Sequence, residues 1–338
     1  MKAILVPEPG GPEALVWGEA PDPVPAAGEV LVRVKATALN RADLLQAAGR
    51  YPPPPGASEI LGLEAAGEVE GTGERVFCLL PGGGYAEKVA VPRGMLMPVP
   101  DGMDFVQAAS IPETWFTAYL NLFLEGGLKG RDGEPREIAL VHAAASGVGT
   151  AALQLLRRAG IRAVATTRSA FKLDPLLALG AALAIDTSKD DFATAIESAY
   201  GRDAVDLVLD PVGGGFLEKN LRVLKRGGRL VLIAVMGGGS APIDLRAVLT
   251  KRLRVIGSTL RSRPVDEKIA LTGAFVRDVL PGFPDGSLAT VVDSVFPLFR
   301  AADAFRRIAS NENVGKIVLT VEKAAPRHRS AARGALPL

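Results

Sequence analysis

Cysteine and histidine are nearly missing from this chain: one cysteine, Cys78, and two histidines, His142 and His328, among 338 residues. An intrachain disulfide is excluded, and a zinc site, which draws mainly on Cys and His, has little to draw on. No bound metal is therefore expected. The charges nearly cancel, 39 basic against 37 acidic residues, and aromatics make up only 5%. Neither a basic field nor an aromatic-studded basic patch is there to hold nucleic acid or an anionic membrane, so neither partner is expected. No apolar run reaches the roughly 18 residues a bilayer span needs. The opening MKAILVPEPG meets Pro and Gly too soon for a signal peptide's apolar core, so a cytoplasmic protein is expected.

What is there is ordinary globular material, 48% hydrophobic and 22% charged, in a chain long enough for two domains. The first third reads as strands and turns: GEVLVRVKATAL alternates, and GEVEG, ERVFCLL and YAEKVAV follow between Gly and Pro. A short helix, RADLLQAAGR, starts after Asn40, a good N-cap residue. This part is expected to be a small barrel-like β domain. DFVQAASIPETWFTAYLNLFL is helical in pattern, and the rhythm then changes. The apolar runs IALVHAA, RAVATT, LAIDT, VDLVLD, RLVLIAV and LRVIGSTL alternate with helices, among them TAALQLLRRAG and FLEKNLRVLKRGG. Runs this apolar are buried on both faces, which indicates a parallel sheet wrapped by helices. After Leu260 come a helix (KIALTGAFVRDVL), a strand (ATVVDSVFPL), a helix (AADAFRRIAS) and a last strand (GKIVLTV).

VHAAASGVGTAAL, residues 141–153, stands where a dinucleotide fold turns from its first strand into its first helix. It fails the GxGxxG fingerprint, since Ala144 and Ser146 occupy the first two glycine positions and only Gly149 is in place. The residues are nonetheless small. Gly147 and Gly149 are expected to give the turn freedom, and the free N–H groups at the helix start can take phosphate oxygens. Simple packing of helix on sheet would also favour small residues here. The second strand ends in Thr167, Arg168 and Ser169, with Lys172 a helical turn later, where an NAD site would carry Asp or Glu. A cationic, hydroxyl-rich cluster suits the 2′-phosphate of NADP, with Arg168 pairing and Lys172 acting as a point charge. A solvated helix start would look similar. DPVGGG and VMGGG leave bare backbone at two further strand ends.

NRADLLQAAGRYPPPPGASEILGLEAAGEV, LLPGGGYAEKVAVP, HAAASGVGTAALQL and NVGKIVL, in this order, resemble the zinc-free quinone oxidoreductases of the medium-chain dehydrogenase/reductase superfamily. These are relatives of zeta-crystallin, and the likeness is greatest to the branch induced by the tumour suppressor in mammals. It extends to about Glu322.

The resemblance implies an α/β chain: a GroES-like β-rich catalytic domain over 1–113, a doubly wound Rossmann domain over 114–255, a return to the catalytic domain over 256–322 and a tail over 323–338. It implies NADPH as cofactor, a quinone as acceptor, no zinc and a homodimer joined through edge strands such as KRLRVIGSTL, whose charges could equally protect an exposed edge. Zinc-dependent members carry GHE where this chain has Gly62, Leu63 and Glu64, and a cysteine near where it has Asn40 and Arg41.

By the same resemblance Tyr51 lies beside the nicotinamide and acceptor, and Asn40 contacts the cofactor's reactive end, although packing and N-capping are the plain alternatives. The backbone of Ser146, Gly147, Val148 and Gly149 takes the pyrophosphate. Val235, Met236, Gly237, Ser258, Thr259 and Leu260 surround the nicotinamide, and Asn313 and Lys316 lie near the phosphates, although Lys316 could be a strand-edge charge. Three departures stand out: Thr187 where relatives have an aromatic near the adenine, a shortened loop between Gly67 and Arg75, and a lengthened segment GGLKGRDGEPREIAL. Reduction of activated alkenes (enones or enoyl thioesters) and a non-enzymatic, NADPH-dependent regulatory role are the competing expectations.

Overall fold

The structure, a computed structural model, describes residues 1–130 and 137–321. The tail 323–338, with His328, and residues 131–136 of the lengthened segment lie outside the described residues.

The apolar runs of the middle third form six parallel strands, in spatial order Ala181–Asp186, Arg162–Thr167, Ile138–Val141, Val205–Asp210, Leu224–Leu232 and Arg254–Gly257. In chain order this is 3-2-1-4-5-6, a doubly wound sheet whose winding reverses between Ile138–Val141 and Val205–Asp210. Both strands are buried along their whole length, as centre strands covered on two faces should be. The sixth strand runs on to Gly257, past the boundary expected at 255.

The other sheet has seven strands from both ends of the chain. Glu29–Ala38 is its spine, pairing with Glu64–Val69, Lys88–Pro92 and the last strand, Lys316–Thr320. The chain thus leaves this domain, builds the parallel sheet and returns. The shortened loop is a tight hairpin between Glu64–Val69 and Arg75–Leu79.

Local chemistry explains where the elements depart from the pattern. The long helical stretch 104–124 is split: Asp104 caps Phe105–Ala109, and Pro112 opens a second helix, Pro112–Tyr119, because proline suits a first turn and breaks an interior. The helix expected over FLEKNLRVLKRGG stops at Val223, and Leu224 begins a strand paired with Val205. Its Gly227–Gly228 pair favours no helix. A helix at Leu245–Lys251, capped by Asp244, and a strand at Val16–Glu19 are additions to the expected set. One apolar cluster runs from Val34 and Phe77 in the mixed sheet through Trp115 and Phe116 to Ala139 and Leu207 in the parallel sheet. The helix Pro112–Tyr119 is the wedge between the two halves.

Candidate active site

The phosphate turn follows Ile138–Val141 at the switch point of the parallel sheet. Ser146 is the N-cap of the helix Gly147–Ala159, and its Oγ accepts from the Gly149 amide at 3.2 Å. The amides of Gly147 and Val148, in the first turn, have no intrahelical acceptor and remain for an anion. A Cβ on Gly149 would overlap the carbonyl, Cα and C of Ala144, so the helix approaches the strand as closely as glycine permits. A Cβ on Gly147 would stand 2.7 Å from Lys316 Cδ and 2.8 Å from Thr114 Cγ2. Conformational freedom is therefore not what these two glycines supply. They supply space, and the left-handed residue of the turn is Ala143, at φ 48°. The cradle that a Cβ would fill, together with the unspent amides, fits a pyrophosphate.

His142 anchors the same turn from beneath. Its Nδ1 lies 2.9 Å from Thr166 Oγ1 and its Nε2 2.8 Å from Asn220 Oδ1, while Asn220 Nδ2 donates to Asp210 Oδ2. With Asn220 donating to a carboxylate, its Oδ1 must accept, which places the imidazole proton on Nε2. Burial holds this histidine below its ordinary range, against the pull of Asp210's charge and the Asn220 hydrogen bond. The other Asp210 oxygen accepts from the amides of Val212 and Gly213. One buried relay thus fixes both the phosphate turn and the glycine turn of DPVGGG. That turn packs against Val235, Met236 and Gly237: the Met236 and Gly237 amides donate to Pro211 and Val212 carbonyls, and the side chains of Val235 and Met236 are exposed.

The cationic second strand end divides in two. Thr167 is buried and its carbonyl is taken by Thr187, which turns its hydroxyl inward. Ser169 caps a short turn, and Arg168 is exposed, with no hydrogen-bond partner among the described residues. Lys172 has to be corrected. Its side chain is 6% exposed and its Nζ donates to the carbonyls of Asn311 (2.6 Å) and Asn313 (2.8 Å). It ties the parallel-sheet half to the catalytic half, with two of its three protons spent on carbonyls. Arg41 takes up the position the sequence reading missed. Its guanidinium, bonded to Asn311 Oδ1 and the Ile308 carbonyl, lies near enough to Arg168 to feel its charge.

At the reactive end the structure shows how two more of the expected residues are held. Lys316 spends its ammonium on Leu39 O, Asn40 Oδ1 and Glu64 Oε1, at 2.6, 2.7 and 2.6 Å. It is adjacent to the phosphate turn through Gly147, but all three protons are used. Asn40 is beside the cleft with its amide committed: Nδ2 donates to Glu64 and Oδ1 accepts from Lys316. Asn40 is, as expected, the N-cap of the helix Arg41–Ala47, and Asp43 at its third position closes the capping box by accepting from the Asn40 amide. Asn40 holds the wall of the cleft and has no free donor. Asn313 likewise turns its amide to Gly315 O.

Tyr51 is half-buried, with the Arg261 guanidinium 5.2 Å from its ring centroid and no partner for its hydroxyl among the described residues. Burial raises the phenol's pKa, nearby Glu113 adds to the effect and Arg261 opposes it. Arg261 itself is locked by Pro81 O and Gln46 Oε1. Ser258 Oγ, at the end of the edge strand, is buried without a partner among the described residues, Thr259 is exposed and Leu260 is buried. An orphaned buried hydroxyl beside a glycine-rich strand edge fits the polar end of a dinucleotide. No group of three or more His, Cys, Asp or Glu side chains with metal-site spacing occurs among the described residues.

Comparison with known proteins bears on the two-domain fold and the family. The family described as "Alcohol dehydrogenase GroES-like domain" matches residues 26–101, and "Zinc-binding dehydrogenase" matches 147–273. The quinone oxidoreductase of Rattus norvegicus is 30% identical over 94% of this chain and 97% of its own. The pikromycin polyketide synthase component PikAII of Streptomyces venezuelae is 35% identical over 94% of this chain, which spans only 8% of that protein. The structure of the Thermus thermophilus quinone oxidoreductase, also solved with NADPH, is 37% identical, covers 95% of this chain and 100% of its own, and superposes with a TM-score of 0.81. The chain belongs to the medium-chain dehydrogenase/reductase superfamily, in its zeta-crystallin-like part.

Proposed function

We propose that this protein is an NADPH-dependent quinone reductase that works without zinc. The observation that carries the cofactor is Arg168 at the second strand end, exposed and without a partner among the described residues, where no carboxylate stands to hold a ribose hydroxyl and a second cation, Arg41, is near enough to feel its charge. Relatives of the same family solved with NADPH support it. Ser146, Gly147, Val148 and Gly149 would hold the pyrophosphate, Arg168 and Arg41 the 2′-phosphate, and Ser258 and the Val235–Gly237 turn the nicotinamide side. Bound there, NADPH supplies the hydride.

The side chains do the rest. Tyr51 presents an unpaired phenol to an acceptor oxygen, and Arg261 over its ring keeps it in place. Leu63 stands where zinc-dependent members have a histidine, so the acceptor must be one that needs no Lewis acid. A quinone meets that requirement. Similarity to a segment of a polyketide synthase as well as to a quinone oxidoreductase leaves the acceptor class open, and reduction of activated alkenes is the second reading. A panel of quinones and enones, assayed with NADPH and NADH, separates the two. Enone turnover without quinone turnover selects the second, and tight NADPH binding with no oxidation by either class favours a regulatory binding protein.

A homodimer is part of this reading. The edge strand Arg254–Gly257 leaves Val255 exposed, and the neighbouring helix Leu245–Lys251 turns Leu245 (70% exposed) and Leu249 (76%) outward. An apolar face flanking an open strand edge is suited to a second copy. Light scattering tests it, with Leu249→Glu expected to give a monomer. No helix among the described residues is long and apolar enough to cross a membrane, and we read the protein as cytoplasmic.

A further inference from the structure

We infer that Glu113 is the proton-donating acid of the cleft, giving up from its carboxyl the proton that the reduced acceptor takes beside Tyr51. The inference rests on the reductase reading above.

Glu113 is the second residue of the wedge helix Pro112–Tyr119, and its amide donates to Glu64 Oε2 at 2.9 Å. The next residue, Thr114, is the one whose methyl abuts Gly147 in the phosphate turn. Glu113 thus sits at the start of the helix that separates the phosphate turn from the mixed sheet, near enough to Tyr51 for its charge to raise the phenol's pKa. Its carboxyl is half-buried and has no hydrogen-bond or ion-pair partner among the described residues. The buried acids nearby are all engaged. Asp43 accepts from Asn40, Gly62 and Tyr85, and Glu64 accepts from Lys316, Asn40 and Glu113 itself.

The groups facing Glu113 come from every element around it. They are Asp43 from the first helix, Tyr51 from the loop after it, Glu64 from the mixed sheet, Arg261 and Lys268 from the returning segment, and Lys316 from the last strand. The cations are spent elsewhere: Lys268 donates to Arg261 O, Arg261 to Pro81 O and Gln46, and Lys316 to Glu64. Burial pushes the Glu113 carboxyl up to about 8, with Glu64 and Asp43 adding to the rise and Lys316 and Arg261 opposing it. The amides of its own helix start would favour a carboxylate, but burial outweighs them. At neutral pH Glu113 is therefore a neutral acid in an otherwise paired wall, the form a proton donor requires.

The step balances. The acceptor gains a hydride from the reduced nicotinamide, the O–H bond of Glu113 breaks with its electron pair left on the carboxylate, and a new O–H bond forms on the acceptor oxygen. Water entering the cleft returns the proton to Glu113.

Glu113→Gln keeps size and polarity and removes the acid. Its kcat/KM for a quinone should fall about 100-fold and lose the alkaline limb near pH 8 that the wild type shows, with NADPH affinity, read by fluorescence, unchanged. Glu113→Asp should restore part of the rate together with the limb. Independently of turnover, carbon NMR of glutamate-labelled protein should show one carboxyl titrating near pH 8 that is missing in Glu113→Gln. Quinone turnover by Glu113→Gln with the limb intact, or no glutamate titrating above pH 7, overturns the donor role alone. A wild type that shows the titration yet reduces neither quinones nor enones overturns the reductase reading and the donor role with it.

Discussion

Lys316 and Glu64, 252 residues apart in sequence, form an ion pair of 2.6 Å with both side chains buried, and Asn40 closes the knot between them. A pair this deep adds little over a packed apolar pair, but leaving one charge alone is costly, about 3–5 kcal/mol. Lys316→Met should destabilise the fold by that order in urea titration. Weaker cofactor binding at unchanged stability would instead return Lys316 to the phosphates.

The two cations of the second strand end should separate by mutation. Arg168→Ala is expected to weaken NADPH about tenfold, roughly 1.4 kcal/mol, and to leave NADH unaffected, with Arg41→Ala adding to the loss. Lys172→Met should lower thermal stability and weaken both cofactors alike, because its ammonium holds the Asn311 and Asn313 carbonyls. Selective loss of NADPH in Lys172→Met would restore its role as a phosphate ligand. Calorimetric titration with both cofactors reads all three variants.

Gly149→Ala should force the helix Gly147–Ala159 off the strand, since the added methyl overlaps the Ala144 backbone. The cost expected for such overpacking is about 1–3 kcal/mol, accompanied by loss of cofactor affinity. Ser146→Ala should cost about 1 kcal/mol, the worth of a helix cap, and Ser146→Val should in addition obstruct the pyrophosphate. Normal cofactor binding by Ser146→Val would contradict the phosphate role of the turn.

Tyr51→Phe should lower quinone turnover and spare NADPH affinity. The phenol has no protein partner to lose, so its stability should stay within about 0.5 kcal/mol of wild type. Unchanged turnover would reduce Tyr51 to a packing residue under Arg261.

His142 should take up a proton only at lower pH than an imidazole of the unfolded chain, and its neutral form should show the proton on Nε2 in nitrogen NMR. A base whose value is depressed on folding binds its proton more readily in the unfolded chain, so its contribution is full above the ordinary value of 6.5 and is lost as pH falls below it. Asp43, pushed up to about 6 by burial, changes stability in the opposite direction across the same range. Wild type should therefore lose more stability between pH 7 and pH 5 than His142→Gln, measured by chemical denaturation.

The parallel sheet was legible because each of its strands contains a short apolar run, and period and length suffice to find such runs. The helix Leu245–Lys251 escaped because its leucines face outward, so no apolar stripe points to a core; the N-cap Asp244 was the signal that could have found it. In the site, backbone features were readable and side-chain ones were not. Small residues at 144–149 follow from local geometry alone. The fates of Lys172, Lys316 and Asn40 depend on carbonyls and carboxylates far away in the chain, and spacing says nothing about whether a charge arrives already paired. Glu113 and Arg41 were missed for the same reason. Each is ordinary in sequence, one after a helix-starting proline and one after an N-cap asparagine, and only the closing of the two halves gives each its neighbours.

The Gly315 amide donates to Ala145 O at 2.9 Å, and Ser146 bridges to Gly315 as a parallel strand would. Gly315 has φ 81°, and a Cβ there would overlap Val291 O, so no other residue fits this joint. The pyrophosphate anchor of one domain is thus paired by backbone with the start of the other's last strand, beside the ties of Lys172 to Asn311 and Asn313 and of Gln154 to Ala289. The phosphate turn is therefore held from both domains, by the cap of its own helix and by the residue that opens the other domain's last strand, so an incoming dinucleotide would meet a turn already fixed.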